Sequence, residues 1–306
     1  TNTVQMIHGT TDGNAVTVTG NSISNSEQVI LDAMPILAVS VRAKDSIITQ
    51  FFVTAKLIRC VRGGTPRQLL FDANDPPIIG LQQQTIATDI GSTCCFALRQ
   101  DCVTLYEDTS AALTAKSFLT GGLSHVYYTA FAALTARTAR AGQLSTYVYV
   151  GDSDGRLTVA RISHGSAPDA TDARFPMPEV PLGPPITHVA ACREYDKHVV
   201  VIVRGMEVTA FARTGMSLTL GTESQCVGHH DVASLAIQSI ADVCTLDIVD
   251  ARGTHVAYTL DVTTGVATLI SATLMADDKW PMVVCSNSSG VVASFRADRK
   301  SVTRAV

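Results

Sequence analysis

An all-β fold of repeated small sheets is predicted by three observations. Strand-sized apolar runs recur about every 40 residues along the chain. Short turns rich in Gly, Asp and Ser separate many of these runs. No stretch carries the periodicity of a long amphipathic helix. The spacing is that of the blades of a β-propeller, and about seven units can be counted.

The clearest unit is Tyr147 to Arg161, where two alternating runs flank Gly151-Asp152-Ser153-Asp154-Gly155. Asp154-Gly155 suits the positive φ of a tight hairpin turn. Looser copies run through the chain. The first region holds Val4 to Ile7, Ala15 to Thr19 and Gln28 to Leu31. The second holds Ile36 to Val41, Ile47 to Thr54, Lys56 to Val61 and Gln68 to Phe71, closed by a break at Asp72 to Pro77. The third has Ile78 to Thr88, Thr93 to Leu98, Val103 to Tyr106 and Leu113 to Leu119. The fourth begins at His125 to Phe131 and contains the hairpin. Between them, the Ala- and Arg-rich Ala132 to Gly142 reads as a long hairpin loop rather than a short surface helix. Gly142 and two threonines weaken the helical alternative.

Residues 163–185 hold six of the eleven prolines and read as an extended, irregular excursion between two units. The strand rhythm then resumes at Ile186 to Cys192, His198 to Val203, Glu207 to Phe211 and Ser217 to Leu220. A sixth unit follows at Val232 to Ile237, Val243 to Val249, His255 to Leu260 and Ala267 to Ile270. The last unit has Met282 to Cys285, Val291 to Arg296 and Ser301 to Thr303.

Several units resemble WD40-type propeller repeats, in which a Gly-His pair precedes the first strand. Gly228-His229 before Val232 matches that feature, and Gly122-Leu-Ser-His125 matches it more loosely. Gly151 to Gly155, Asp250 to Gly253 and Ser286 to Gly290 match the family's middle turn. The closing Trp-Asp pair is absent: Arg161 stands there in one unit, and Phe295, with Asp298 nearby, in another. The only tryptophan, Trp280, precedes a first strand. The resemblance implies a seven-bladed WD40-like β-propeller over residues 1–306. Its ring would be closed by the N- and C-terminal strands, and the chain would be a piece of a longer protein. It further implies a scaffold for partner proteins.

Composition narrows the function. Hydrophobic residues make up 46% and charged residues 16%, enough for a large core. A net charge of −4 speaks against nucleic acid as the main partner. The longest apolar run, His198 to Val203, is too short to span a membrane. Eight cysteines without a C-x-x-C read as buried reduced thiols, which suits an intracellular setting, cytoplasmic or nuclear.

Chemistry-bearing motifs are sparse. His229-His230-Asp231 is the densest polar cluster, but adjacent strand residues face opposite ways and rarely share a metal. Asp152-Ser-Asp154 lacks the glutamate of a calcium loop, since Ser163 holds that position, and reads as turn chemistry. Cys94-Cys95 reads as two strand positions with separate burial rather than a vicinal disulfide. No nucleophile elbow, phosphate loop or dinucleotide fingerprint occurs, so no catalytic set and no cofactor are predicted. Asp247, Asp250, Glu194 and Glu207 are the acidic residues a channel hydrolase would have available.

Basic residues gather at Arg59, Arg62 and Arg67, at Arg137 and Arg140, and at Arg296, Arg299, Lys300 and Arg304. The expected function is a non-catalytic interaction platform within a larger assembly. A propeller hydrolase and an RNA-binding propeller are the alternatives. The candidate interaction surface is Arg137, Arg140, Pro176, Pro178, Arg296, Arg299 and Lys300.

Overall fold

A computed structural model describes residues 5–9, 15–19, 22–24, 36–44, 47–85, 93–109, 111–119, 125–137, 144–164, 173–176, 180, 182–194, 197–214, 217–225, 232–240, 243–251, 254–261, 266–274, 282–286, 292–296 and 302–305. Among the described residues there are strands and no helix. The first sheet is β1 (Gln5–Gly9), β2 (Ala15–Thr19) and β3 (Ser22–Ser24). The second is β4 (Ala38–Lys44), β5 (Ile47–Val53), β6 (Leu57–Arg62) and β7 (Thr65–Leu70). The third is β8 (Gly80–Thr85), β9 (Thr93–Leu98), β10 (Val103–Asp108) and β11 (Leu113–Phe118). The fourth is β12 (Tyr128–Arg137), β13 (Leu144–Asp152), β14 (Leu157–His164) and β15 (Ala173–Pro176).

The fifth sheet is β16 (His188–Glu194), β17 (Lys197–Arg204), β18 (Glu207–Thr214) and β19 (Ser217–Gln225). The sixth is β20 (Val232–Ile240), β21 (Val243–Asp250), β22 (Thr254–Asp261) and β23 (Val266–Leu274). The last is β24 (Met282–Ser286), β25 (Val292–Arg296) and β26 (Val302–Ala305). Strand order follows chain order in each, and the registered pairs are antiparallel.

The chain divides into two compact units, and the fourth sheet contributes residues to both. In the first unit, β1 lies beside β4 and β4 beside β8. The second and third sheets share a core of Phe51, Val53, Ile58, Cys60, Cys95, Ala97 and Tyr106. In the second unit, β16 lies beside β20 and β20 beside β24. Val199, Val201, Leu246, Ile248, Val256 and Tyr258 form the core of its fifth and sixth sheets. Tyr149 Oη and His198 Nδ1 add a 2.8 Å hydrogen bond in this unit.

The middle strand β17 is buried on both faces. Val199, Val200, Val201, Ile202 and Val203 are no more than 1% exposed. An apolar run without alternation is what two covered faces demand. The six described cysteines, Cys60, Cys94, Cys95, Cys102, Cys192 and Cys244, are buried thiols, as expected. Burial pushes the Cys60 thiol up to about 12, with the Asp108 carboxylate adding to the effect. Cys94 and Cys95 divide as expected: Cys95 joins the shared core, while Cys94 Sγ donates to the Gln84 carbonyl at 3.4 Å.

Two details depart from the sequence reading. The segment from Ala132 is strand up to Arg137, because Ala132, Ala133 and Ala136 pack as thin buried side chains of β12. The proline-rich stretch is not irregular throughout: β14 runs on to His164, and Ala173–Pro176 is the outer strand of the fourth sheet.

The hairpin of the fourth sheet is built by Asp152. Its Oδ1 accepts the backbone N–H groups of Asp154 (3.0 Å) and Arg156 (2.8 Å). Its carbonyl accepts that of Gly155 (3.1 Å) and of Ile186 (3.2 Å). Asp250 repeats the device, accepting the Thr254 N–H at 2.8 Å. The aspartates are turn chemistry, and Gly155 sits at φ +75°. A Cβ there would stand 2.5 Å from the Gly183 carbonyl oxygen and 2.6 Å from that of Pro184.

Gly205 also has positive φ (+59°), but open space surrounds its Cβ position. Gly155→Ala is therefore expected to lower stability by about 3 kcal/mol, combining backbone strain with overpacking against fixed carbonyls. Gly205→Ala is expected to cost about 1 kcal/mol from left-handed strain alone. Urea unfolding of the two variants checks the difference, and equal losses would contradict this account.

Candidate interaction face

In a four-stranded meander, one end of the sheet collects three features: the residues leading into the first strand, the turn between the second and third, and the chain leaving the fourth. In the first unit this end of the second and third sheets is laced by backbone bonds. Leu37 N–H donates to Val53 O (2.8 Å), Phe71 N–H to Lys56 O (2.8 Å) and Ile79 N–H to Leu98 O (2.8 Å). Thr54 Oγ1 fixes the β5–β6 turn by accepting the N–H groups of Lys56 and Leu57, each at 3.2 Å.

Arg99 is the organising side chain. It is 4% exposed at the end of β9, and its own backbone closes the β9–β10 turn on Cys102 O at 2.8 Å. Its guanidinium donates to the Pro76 carbonyl, pairs with Asp75 Oδ2 at 3.2 Å and lies 4.7 Å from the centre of the Phe71 ring. One planar cation thus satisfies a carbonyl, a carboxylate and an aromatic face in the β7–β8 connection. Tyr128 N–H donates to Gln100 O (2.9 Å) on the same turn.

Large apolar side chains face solvent on this fixed frame. Leu70 is 69% exposed, and Leu37, Ile79 and Tyr127 are about half exposed. Asp72, Asp75 and Asp101 are exposed among them. Apolar side chains rimmed by polar ones are the composition of a protein-binding patch.

The second unit has a smaller counterpart. Arg204 Nη2 donates to the Gly155 carbonyl at 2.6 Å, and its side chain passes 3.7 Å from the Cβ position of Gly183. The chain leading into β16 is thereby held against the β13–β14 and β17–β18 turns. It presents Leu182, 68% exposed, and the β17–β18 turn presents Met206.

The basic groups singled out in the sequence fare differently. Arg67 pairs with the buried carboxylate of Asp108 at 2.5 Å, and Arg62 stands 3.9 Å from it. Arg59 donates to Gln68 at 2.8 Å. These arginines serve the fold. Arg137, Pro176 and Arg296 are the last residues of β12, β15 and β25. Arg140, Pro178, Arg299 and Lys300 lie outside the described residues, as does His229-His230-Asp231.

The acidic residues occupy separate roles: Asp247 pairs with His255 at 2.8 Å inside the sixth sheet, Asp250 holds its turn, and Glu207 is exposed at the start of β18. Among the described residues, no three His, Cys, Asp or Glu side chains form a metal-binding group, and no helix is long and apolar enough to cross a membrane.

No family model and no curated protein matches the chain. Solved structures match along nearly all of it. BBS1N, crystallised in complex with ARL6DN, is 11% identical with a TM-score of 0.64, over 95% of this chain and 83% of that one. A candidate 6-phosphogluconolactonase from Bacteroides fragilis is 13% identical with a TM-score of 0.60, over 99% and 93%. The Aleuria aurantia lectin in complex with α-methyl-L-fucoside is 12% identical with a TM-score of 0.55, over 87% and 89%. These are β-propellers. The chain has a β-propeller fold. At these identities the likeness carries the fold and nothing further.

Sequence reading passed over Arg99, since its partners lie on a connection distant in the chain. Arg99→Ala is expected to cost about 2 kcal/mol, as the Pro76 carbonyl loses its donor and a buried side chain packed on Phe71 is removed. Arg99→Lys is expected to recover less than half, because an ammonium cannot span the same three partners. Thermal melts measure the loss. Faster hydrogen exchange confined first to residues 71–79 would locate it, and unchanged exchange there would contradict the pinning role.

Proposed function

We propose that this propeller is a non-catalytic platform for protein–protein interaction, a subunit of a larger multiprotein assembly in the cytoplasm or nucleus. The observation that carries the reading is the set Leu37, Leu70, Ile79 and Tyr127, exposed at one end of the sheets, where Arg99 pins the β7–β8 connection between Leu70 and Ile79. Apolar anchors on preorganised loops lose little conformational entropy when a partner covers them. A propeller of similar fold, BBS1N, has been crystallised with a protein partner. The six buried thiols favour a reducing compartment. In this reading Arg137, Arg140, Pro176, Pro178, Arg296, Arg299 and Lys300 are further contact residues, Arg137 standing at the opposite end of β12 from Tyr127, no cofactor is used, and the net charge of −4 disfavours nucleic acid.

We further propose that residues 1–306 form one ring of seven WD40-like blades, closed by the N- and C-terminal strands, with the proline-rich chain after β15 as the connection to the next blade. Seven sheets among the described residues, each in chain order, support that count. Removal of residues 1–19 is then expected to lower Tm and abolish a single cooperative transition, and an unchanged melt would count against closure.

Affinity purification from the native cells, using the tagged chain and a Leu70→Ser/Ile79→Ser/Tyr127→Ser variant, tests the platform reading. A specific set of proteins is expected with the parent chain and at least about tenfold less of it with the variant. Recovery of no specific protein, or equal recovery by a variant with an unaltered melt, would sink it.

A further inference from the structure

Two thiols from different sheets meet in the core of the second unit. Cys192 lies on β16 and Cys244 on β21, and their Sγ atoms are 3.6 Å apart. Both belong to the core cluster that packs the fifth sheet against the sixth. Each stands close to a hairpin. Cys192 pairs with Val199, two positions before the Glu194–Lys197 pair that precedes the β16–β17 turn. Cys244 pairs with Ser239, next to the Ile240–Val243 pair that precedes the β20–β21 turn. Hairpin ends open locally at far lower cost than strand centres, so small solutes reach such positions without global unfolding. Cys192 is the more accessible, at 8% against 0% for Cys244.

We propose that Cys192 and Cys244 are an oxidation site, forming a disulfide that staples the fifth sheet to the sixth when a peroxide is present. The Cys192 thiolate attacks hydrogen peroxide, breaking its O–O bond, and becomes a sulfenic acid as hydroxide leaves and takes up a proton to become water. The Cys244 thiol then attacks that sulfur, the S–S bond forms, and a second water departs with the thiol proton. The two thiols together supply the two electrons that reduce the peroxide to two waters. Closing the sulfurs from 3.6 Å to a bond of about 2.0 Å needs movement of less than 2 Å, shared between two hairpin ends.

The shared core of the first unit holds two further thiols, Cys60 and Cys95, both fully buried and each also two positions from the last pair of a hairpin. Burial pushes both upward, Cys60 to about 12, which lowers the share of thiolate, the attacking species.

The test treats the folded chain with hydrogen peroxide, alkylates the remaining thiols in denaturant and maps the peptides by mass spectrometry. Circular dichroism confirms that the chain stays folded throughout. A Cys192–Cys244 cross-linked peptide is expected from the parent chain and from a Cys60→Ser/Cys95→Ser variant. It is expected to vanish in Cys192→Ser, in Cys192→Ala and in Cys244→Ser. The oxidised chain is expected to melt several degrees higher than the reduced one, a shift absent from the Cys192 variants. Full alkylation of both thiols after treatment, sulfinic acid at Cys192 without a cross-link, or a cross-link that appears only after unfolding would each overturn the proposal.

Discussion

Everything in this fold depends on covering both faces of each small sheet. A meander of three or four strands has two apolar faces and cannot bury either by itself, so each sheet is stable only between neighbours. The fully buried run Val199 to Val203 is the direct mark of that constraint. So is the sharing of cores: Phe51 and Ile58 of the second sheet pack with Cys95 and Tyr106 of the third, as Val199 and Val201 of the fifth do with Leu246 and Ile248 of the sixth. Substitutions in the middle strands are therefore felt by two sheets at once.

The sheet ends are under a different constraint. They must terminate backbone ladders in water while holding loops in register, and the chain does this with a few polar side chains. Thr54, Asp152 and Asp250 accept neighbouring N–H groups at their turns. Arg99 and Arg204 reach across to carbonyls of separate connections. Leu37 and Ile79 on the connections, and Leu70 at the end of β7, stand exposed beside these fixed ends. Loops held rigidly on sheet ends keep the chemistry of the surface separate from the requirements of folding.

Much of the architecture was legible in the residues because hairpins are local. Asp154-Gly155 announces its turn, and the strand runs around it needed no tertiary information. The errors fell where tertiary packing overrides local preference. Ala132 to Arg137 has helix-forming alanines, yet a crowded core selects them as thin strand side chains. Ala173–Pro176 pairs as an outer strand, a place where proline's missing N–H costs nothing. The candidate face was less legible. Arg62 and Arg67 look like a basic patch in one dimension, but Asp108, far along the chain, claims both. Arg99 looks ordinary for the same reason, since Phe71 and Asp75 reach it only through packing.

Strict agreement between strand order and chain order also bears on how the protein is made. Every described sheet is complete once its own consecutive residues have left the ribosome, with no strand to await from elsewhere. Backbone pairing is then of low sequence separation, the class of contact that forms fastest. Within each unit, packing of one sheet against the next, as of the second against the third and the fifth against the sixth, follows vectorially, so that an apolar face stays uncovered only for as long as it takes to synthesise about 40 further residues.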